Sequence, residues 1–164
     1  MCQMEDQKDT MMKKMCKHNN MTEVLPYMLI GGTRKHVNPP SRLDNTRVYC
    51  IEVVSDVPSK FVIGPRHFVC PNYGTPNVSL NWWKVEVHLY QQHTRDSVAT
   101  VVTDLGGHGR SGLYCAILMA HVLGISGQEA IARLRQMHCE QAVETPEQEA
   151  YVVRIANELR NWKG

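Results

Sequence analysis

The spacing of apolar residues changes near residue 110, from short runs typical of strands to the longer period typical of helices. Before that point three runs predict strands, at 24–32, 46–54 and 60–70. A fourth strand, 97–102, leads directly into a glycine-rich turn. Residues 1–22 show neither spacing, so we expect a mobile N-terminal tail followed by one folded domain over 23–164.

The individual runs differ in composition, and this predicts where each lies in the sheet. The run at 24–32 ends in two glycines and predicts an edge strand that closes in a turn. The run at 46–54 is rich in β-branched residues and predicts a buried strand. Gly64 and Pro65 interrupt 60–70, which predicts either one strand or a broken pair.

The apolar residues of segment 80–93 fit both the alternation typical of a strand and the longer period typical of a helix. Its length and glutamine-rich end favour a helix over a strand. After the glycine turn, an apolar helix is predicted to end at Gly124, and a second to begin at Ser126 with Glu129 as its capping partner. That second helix is predicted to bury Ile131, Leu134 and Met137.

The last helix is predicted to start at Thr145, with Pro146 in its first turn. Strands with interleaved helices, followed by a helical C-terminal half, predict a single α/β domain. We expect its central sheet to be mostly parallel and twisted, and flanked by helices.

Composition narrows the classes of function. The net charge of +2 over 164 residues, without a long basic run, argues against binding to nucleic acid or to an anionic membrane. Six cysteines without metal-ligand spacing fit reduced thiols, so we expect a cytoplasmic protein with no metal or organic cofactor. Cys115 is predicted to be a buried apolar residue, and Cys70 to lie near the mouth of the site described next, without a catalytic use.

The glycine-rich turn has the composition of an anion-binding cradle. We use "cradle" for residues 104–111, which are Asp104, Leu105, Gly106, Gly107, His108, Gly109, Arg110 and Ser111. Between a strand and a helix, backbone N–H groups converge and the helix start adds partial positive charge. Arg110 supplies a planar fork suited to two phosphate oxygens. The cradle nevertheless opens with Asp104, a carboxylate where an anion would bind.

The segment DLGGHGRSG resembles the signature loop HCxxGxxRS of the cysteine-dependent protein tyrosine and dual-specificity phosphatases. Gly107, Arg110 and Ser111 fall in register with that loop. Asp104 takes the position of the nucleophilic cysteine, and Thr103 that of the preceding histidine. The resemblance implies the fold of this family, of the dual-specificity type.

Two further loops resemble the same family. CPNYGTP, 70–76, is similar to the acid loop WPDxGxP, and Asn72 occupies the general-acid position, 32 residues before Asp104. VETPEQEAYV, 143–152, is similar to the loop whose glutamine, here Gln148, positions water. The resemblance, which covers residues 24–160, implies that Tyr73 and Gln148 lie at the pocket rim.

The family's reaction needs a thiolate nucleophile and a carboxylic acid, and the resemblance implies that both are missing here. Asp104 lacks the reactivity of a thiolate and repels phosphate, while Asn72 has no proton to give to a leaving oxygen. We therefore expect a pseudophosphatase that binds a protein partner, with phosphoproteins among the candidates. Asp104 is expected to act as an internal anion, held by the cradle N–H groups and Arg110.

Alternatives remain open at this point. The chain could be an active phosphatase whose nucleophile was replaced by engineering, or an interaction protein that recruits partners through residues 1–22. Phosphoryl transfer through an acyl phosphate on Asp104 is a further alternative. His108 is expected to face solvent, and the oligomeric state is left open.

Overall fold

A computed structural model describes residues 21–32, 43, 46–55, 66–105 and 108–162. Within these ranges the strands are β1 (Thr22–Leu25), β2 (Met28–Gly31), β3 (Val48–Val54), β4 (Arg66–Val69) and β5 (Ala99–Thr103). The helices are α1 (Leu80–Arg95), α2 (Gly109–Leu123), α3 (Gly127–Met137) and α4 (Pro146–Arg160).

The five strands form one sheet in the order β1-β2-β5-β3-β4. β1 pairs antiparallel with β2, and the other three pairings are parallel. Every residue of the central strand β5 is buried, as expected for a parallel strand covered on both faces. The predicted single α/β domain with a mostly parallel sheet flanked by helices is confirmed.

The prediction of one edge strand over 24–32 was wrong, because this segment is a hairpin. Pro26 and Tyr27 reverse the chain between β1 and β2, with Tyr27 at a left-handed φ of 61°. β2 therefore lies inside the sheet, between β1 and β5. The hydroxyl of Tyr90 donates to the Pro26 carbonyl at 2.7 Å and fixes the turn against α1.

The predicted tail and the broken strand are only partly covered by the structure. Thr22, assigned above to the tail, already belongs to β1, while residues 1–20 lie outside the described residues. Of the segment 60–70, the structure describes 66–70, and β4 occupies most of this part at one end of the sheet. The strand predicted at 46–54 is confirmed as β3, between β5 and β4, but the prediction that it is buried was wrong for most of its length: Ile51 and Val53 are buried, whereas Val48 is 55% exposed.

Segment 80–93 is helical, as predicted. The Ser79 side chain accepts from the N–H of Trp82 at 3.2 Å and caps the start of α1. Trp83, Val87 and Tyr90 are buried on one face, whereas Val85 is 51% exposed. The helical spacing of apolar residues, and not their alternation, therefore matches the buried face.

The boundaries of the later helices follow the predicted capping residues. Gly124 ends α2 at a left-handed φ of 64°. The hydroxyl of Ser126 accepts from the N–H of Glu129 at 3.1 Å at the start of α3. The prediction that Met137 is buried was wrong: it is the last residue of α3 and is 49% exposed, while Ile131 and Leu134 are buried.

Helix α2 forms the centre of the core. All its residues from Gly109 to Ala120 are buried, and it contacts the sheet as well as α3 and α4. Within the described ranges no single helix has both the length and the apolar character to cross a membrane. Among the residues that the structure describes, one bent pair of helices, α2 and α3, which meet at 117°, passes that test together, by length and composition.

Candidate functional site

The cradle connects the end of the central strand β5 to the start of α2. Thr103, Asp104, Arg110 and Ser111 are all buried, with between 0% and 8% of each residue exposed. Gly106 and Gly107 lie outside the described residues. The strand fixes one side of the cradle and the core helix fixes the other, so its ends have little freedom to move.

The carboxylate of Asp104 is turned towards the start of α2. Its Oδ2 accepts from the backbone N–H of Ser111 at 3.0 Å. N–H groups in the first turn of a helix have no partner within the helix, and negative charge is favourable there. The N-cap residue His108 makes no capping bond with its side chain, so Asp104 supplies an acceptor at this helix start.

Arg110 reaches from the cradle to the neighbouring strand. One guanidinium nitrogen, Nη1, donates to the hydroxyl of Ser55 at 3.0 Å, directly after β3. Ser55 is exposed, whereas Arg110 is only 8% exposed. The guanidinium is therefore anchored at the carboxyl end of the sheet, on the side of the cradle that faces β3.

The prediction that His108 faces solvent was wrong, since only 8% of the residue is exposed. Its Nε2 lies 3.3 Å from Oε1 of Glu144, and its carbonyl accepts from the N–H of Val143 at 3.3 Å. The segment just before α4 therefore folds onto the cradle and covers the imidazole. The Glu144 carboxylate also lies against Gly109, where an added Cβ would overlap it.

The 70–76 loop is docked on the start of α4. The carbonyl of Tyr73 accepts from the Thr145 hydroxyl at 3.2 Å, and that of Gly74 from Nε2 of Gln148 at 3.1 Å. Tyr73 is 58% exposed, at a left-handed φ of 60°, and Asn72 is exposed as well. The two loops that sequence resemblance paired with the cradle are therefore hydrogen-bonded to each other.

Gln148 itself is fully buried, and both ends of its amide are hydrogen-bonded. Its Oε1 accepts from the backbone N–H of Glu144 at 2.9 Å. In this arrangement the side chain joins two backbone segments. The rim positions of Tyr73 and Gln148, and the catalytic positions of Asp104 and Asn72, stay predictions.

Neither Cys70 nor Cys115 supplies a reactive thiolate close to Asp104. Burial raises the pKa of Cys70 to about 11; Arg110 opposes this rise and the charge of Asp104 adds to it. Burial, with a further contribution from Asp104, also raises the pKa of Cys115. A thiol is nucleophilic only when ionised, so the raised pKa values of Cys70 and Cys115 keep both thiols weakly nucleophilic at neutral pH.

Three residues near the cradle were missed by the sequence reasoning: Ser55, Arg135 and Glu144. Arg135 donates from Nε to the carbonyl of Ala142 at 2.9 Å and from Nη2 to that of Val143 at 2.8 Å. Ser55 and Arg135 lie in segments without a motif of their own, whereas Glu144 lies within the 143–152 segment, whose resemblance pointed to Gln148 alone. Across the described part of the chain, no group of three or more His, Cys, Asp or Glu side chains could hold a metal ion.

Comparison with known proteins gives weak sequence similarity and clear structural similarity. No family model matches the chain. Two uncharacterized proteins of Methanocaldococcus jannaschii, MJECL20 and MJ0215, are 37% and 35% identical over 83 residues. These alignments span 50% of this chain and 52% and 48% of the two proteins, so the similarity extends over about half of each.

Solved structures match over most of the chain. The active form of Tk-PTP has a TM-score of 0.62 and 19% identity, covering 85% of this chain and 95% of that one. Human DUSP28 has a TM-score of 0.64 and 18% identity, covering 85% and 97%. The protein therefore has the fold of the protein tyrosine and dual-specificity phosphatases.

Proposed function

We propose that the protein is a pseudophosphatase, a phosphatase-fold module that binds a protein partner without hydrolysing phosphate esters. The observation that carries this proposal is the hydrogen bond from the Ser111 N–H to the Asp104 carboxylate. It brings a negative charge to the helix start at which a substrate phosphate would be bound in the phosphatases that the sequence resembles. Asp104 thus acts as an internal anion.

Electrostatic repulsion is large enough to matter for binding. Two like unit charges about 4 Å apart cost about 4 kcal/mol at an effective dielectric constant of about 20, and a phosphate dianion doubles this. Since about 1.4 kcal/mol is a factor of ten, phosphate binding is weakened by roughly a thousandfold even after solvent screening. Asp104 therefore opposes binding of the substrate as well as lacking the chemistry to attack it.

The proton donor is missing too. Asn72 lies exposed on the 70–76 loop, and its amide is no carboxylic acid. General acid catalysis typically contributes about 10²- to 10⁴-fold to a rate, and this contribution is lost. With Cys70 and Cys115 buried and their pKa values raised, the described residues around Asp104 hold no substitute nucleophile.

A binding role is supported by apolar side chains exposed in the cradle and on the 70–76 loop. Leu105, next to Asp104, is 75% exposed, and Tyr73 on the docked loop is 58% exposed. Aromatic residues are enriched at protein interfaces and charged ones depleted from their centres. The proposed ligand is a protein, phosphoproteins being one candidate class, and the proposed location is the cytoplasm, where buried thiols such as Cys70 stay reduced.

Turnover and anion binding test the proposal together. The protein is expected to leave para-nitrophenyl phosphate unhydrolysed and to show no calorimetric signal with sulfate. Asp104→Ala, which empties the cradle, is expected to bind sulfate, and Asp104→Asn, which keeps the shape but removes the charge, to bind it more weakly. Turnover by the unmodified protein that disappears in Asp104→Ala would refute the proposal, as would strong sulfate binding by the unmodified protein.

The second candidate is an active phosphatase in which engineering placed Asp at position 104. The docked 70–76 loop and the anchored Arg110 favour it, because these two parts of the surroundings are held in place by hydrogen bonds, although Asn72 stands at the general-acid position. Asp104→Cys, Asp104→Cys with Asn72→Asp, and Asp104→Ser as a control distinguish the candidates. Full turnover by Asp104→Cys alone supports the engineered enzyme, whereas a need for both changes supports natural loss of activity.

A further inference from the structure

Glu144 brings a second carboxylate to the helix start at which Asp104 is bound. Its Oε1 lies 3.3 Å from Nε2 of His108 and against Gly109, the first residue of α2. A side chain at position 109 would overlap this carboxylate, so the glycine leaves the space that Glu144 fills. Asp104 and Glu144 come from separate segments and approach the same end of α2.

The position of Glu144 is fixed by its backbone on both sides. Its own N–H is held by Oε1 of Gln148 at 2.9 Å. Arg135 holds the preceding carbonyl, that of Val143, at 2.8 Å, and the Val143 N–H donates to the cradle at His108. Val143 has a left-handed φ of 59°, a conformation rare for a β-branched residue that the surrounding bonds must maintain.

The side chain is therefore placed by backbone contacts as well as by its contact with the imidazole of His108. Glu144 is exposed as a whole residue, but only 23% of its side chain is exposed, so water screens its charge less than that of a fully exposed carboxylate. The partial positive charge of the helix start attracts negative charge within the first turn. Glu144 competes for that field with any anion that enters the cradle.

We infer that Glu144 is a second anion-excluding group of the cradle, one that sets its specificity against phosphate and sulfate. This inference rests on the proposed function, in which Asp104 is the first such group. It predicts that removing Asp104 alone restores only part of the anion affinity. Besides Asp104, the ionisable side chains of the cradle are His108, which faces Glu144, and Arg110.

The test measures sulfate binding by calorimetry in the Asp104→Ala background, with and without Glu144→Gln. The amide keeps the shape of the side chain while removing its charge, and Glu144→Ala is the second variant. Glu147→Gln is the matched control, since it removes the same charge from an exposed position three residues away. Thermal unfolding of each variant establishes that it is folded.

We expect Glu144→Gln to tighten sulfate binding about tenfold in the Asp104→Ala background, and Glu147→Gln to leave it unchanged. The gain should shrink as salt is raised, because salt screens the repulsion between the Glu144 carboxylate and sulfate. A purely structural effect would not depend on ionic strength. No gain over Asp104→Ala, a gain that salt leaves unchanged, or an equal gain from Glu147→Gln would overturn the inference while the proposed function stands. Failure of every variant to bind sulfate would overturn both, and strong binding by the unmodified protein would overturn the proposed function first.

Discussion

The side chain of Gln148 donates from Nε2 to the carbonyl of Gly74, a residue 74 positions earlier in the chain. Its Oε1 accepts from the backbone N–H of Glu144. One fully buried amide thus connects the 70–76 loop with the segment that covers the cradle. The relative positions of the two loops depend on this side chain.

Gln148→Ala is expected to lower the free energy of unfolding by about 2–4 kcal/mol. The change leaves two backbone groups without the amide that satisfied them, and each such group costs about 1–3 kcal/mol. Urea unfolding followed by circular dichroism measures the difference. Gln128→Ala, at an exposed position of α3, is the control and should change stability by less than about 0.5 kcal/mol. A Gln148→Ala protein as stable as that control would contradict the prediction.

Asp104 is expected to stabilise the fold as well as to block the cradle. Its carboxylate serves the start of α2 as a capping side chain does, so Asp104→Ala should cost about 0.5–2 kcal/mol. Asp104→Asn keeps an acceptor oxygen and should cost less. Added sulfate should raise the melting temperature of Asp104→Ala, because a ligand that binds only the folded state stabilises it, and should leave that of the unmodified protein unchanged. Equal sulfate shifts for both proteins would show that Asp104 does not occupy the anion position.

Features encoded by neighbouring residues were predictable from the sequence. The starts of α3 and α4 depend on Ser126 and Thr145, whose hydroxyls bond to N–H groups three residues later. The cradle likewise combines a strand, glycines and a helix within a few positions. Such contacts can be inferred from a short window because all the participating residues lie in it.

Features formed by distant residues were not predictable. The imidazole of His108 is covered by Glu144, 36 positions later, and nothing near His108 in the sequence indicates this. The hairpin of β1 and β2 was missed because residues 24–32 form one apolar run, which was interpreted as a single strand in spite of Pro26. Glu86, in the middle of α1, is almost fully buried and has Arg66 of β4 and Tyr114 of α2 as its partners. Both partners are distant in the sequence, so this burial could not be predicted from it.

The buried carboxyl of Glu86 should make stability depend on pH. Burial raises its pKa above the ordinary value of 4.5, an effect that the Tyr114 hydroxyl and Arg66 oppose. Because the folded state holds this proton more firmly than the unfolded state, the contribution to stability is full below about pH 4.5 and is lost as the pH rises through the folded-state pKa. Glu86→Gln cannot ionise and should not show this loss.

Urea unfolding across this pH range should therefore show the stability of the unmodified protein, relative to Glu86→Gln, falling as the pH increases. Glu147→Gln at the exposed start of α4 is the matched control, expected to run parallel to the unmodified protein. A difference between Glu86→Gln and the unmodified protein that stays constant with pH would contradict the prediction.

Cys70 should react slowly with iodoacetamide in the folded protein. Its pKa is raised to about 11, so the thiolate is a small fraction at neutral pH, and the Sγ–H group is directed at the carbonyls of Pro71 and Gly74. The labelling rate should rise about tenfold per pH unit up to that value. Peptide mapping by mass spectrometry, with urea-unfolded protein as the control, gives the rate. Fast labelling of Cys70 at neutral pH in the native state would contradict it.

The cradle lies at the end of β5, the central strand of the sheet, which pairs with β2 on one side and β3 on the other. Backbone amides of such a strand are expected to be among the slowest to exchange with deuterium, because core elements open with free energies near that of global unfolding. The shape of the cradle consequently depends on the folded state of the entire domain. A sequence change that disrupted the cradle would also destabilise the central strand. Selection for a stable fold alone is therefore enough to retain the architecture of the cradle.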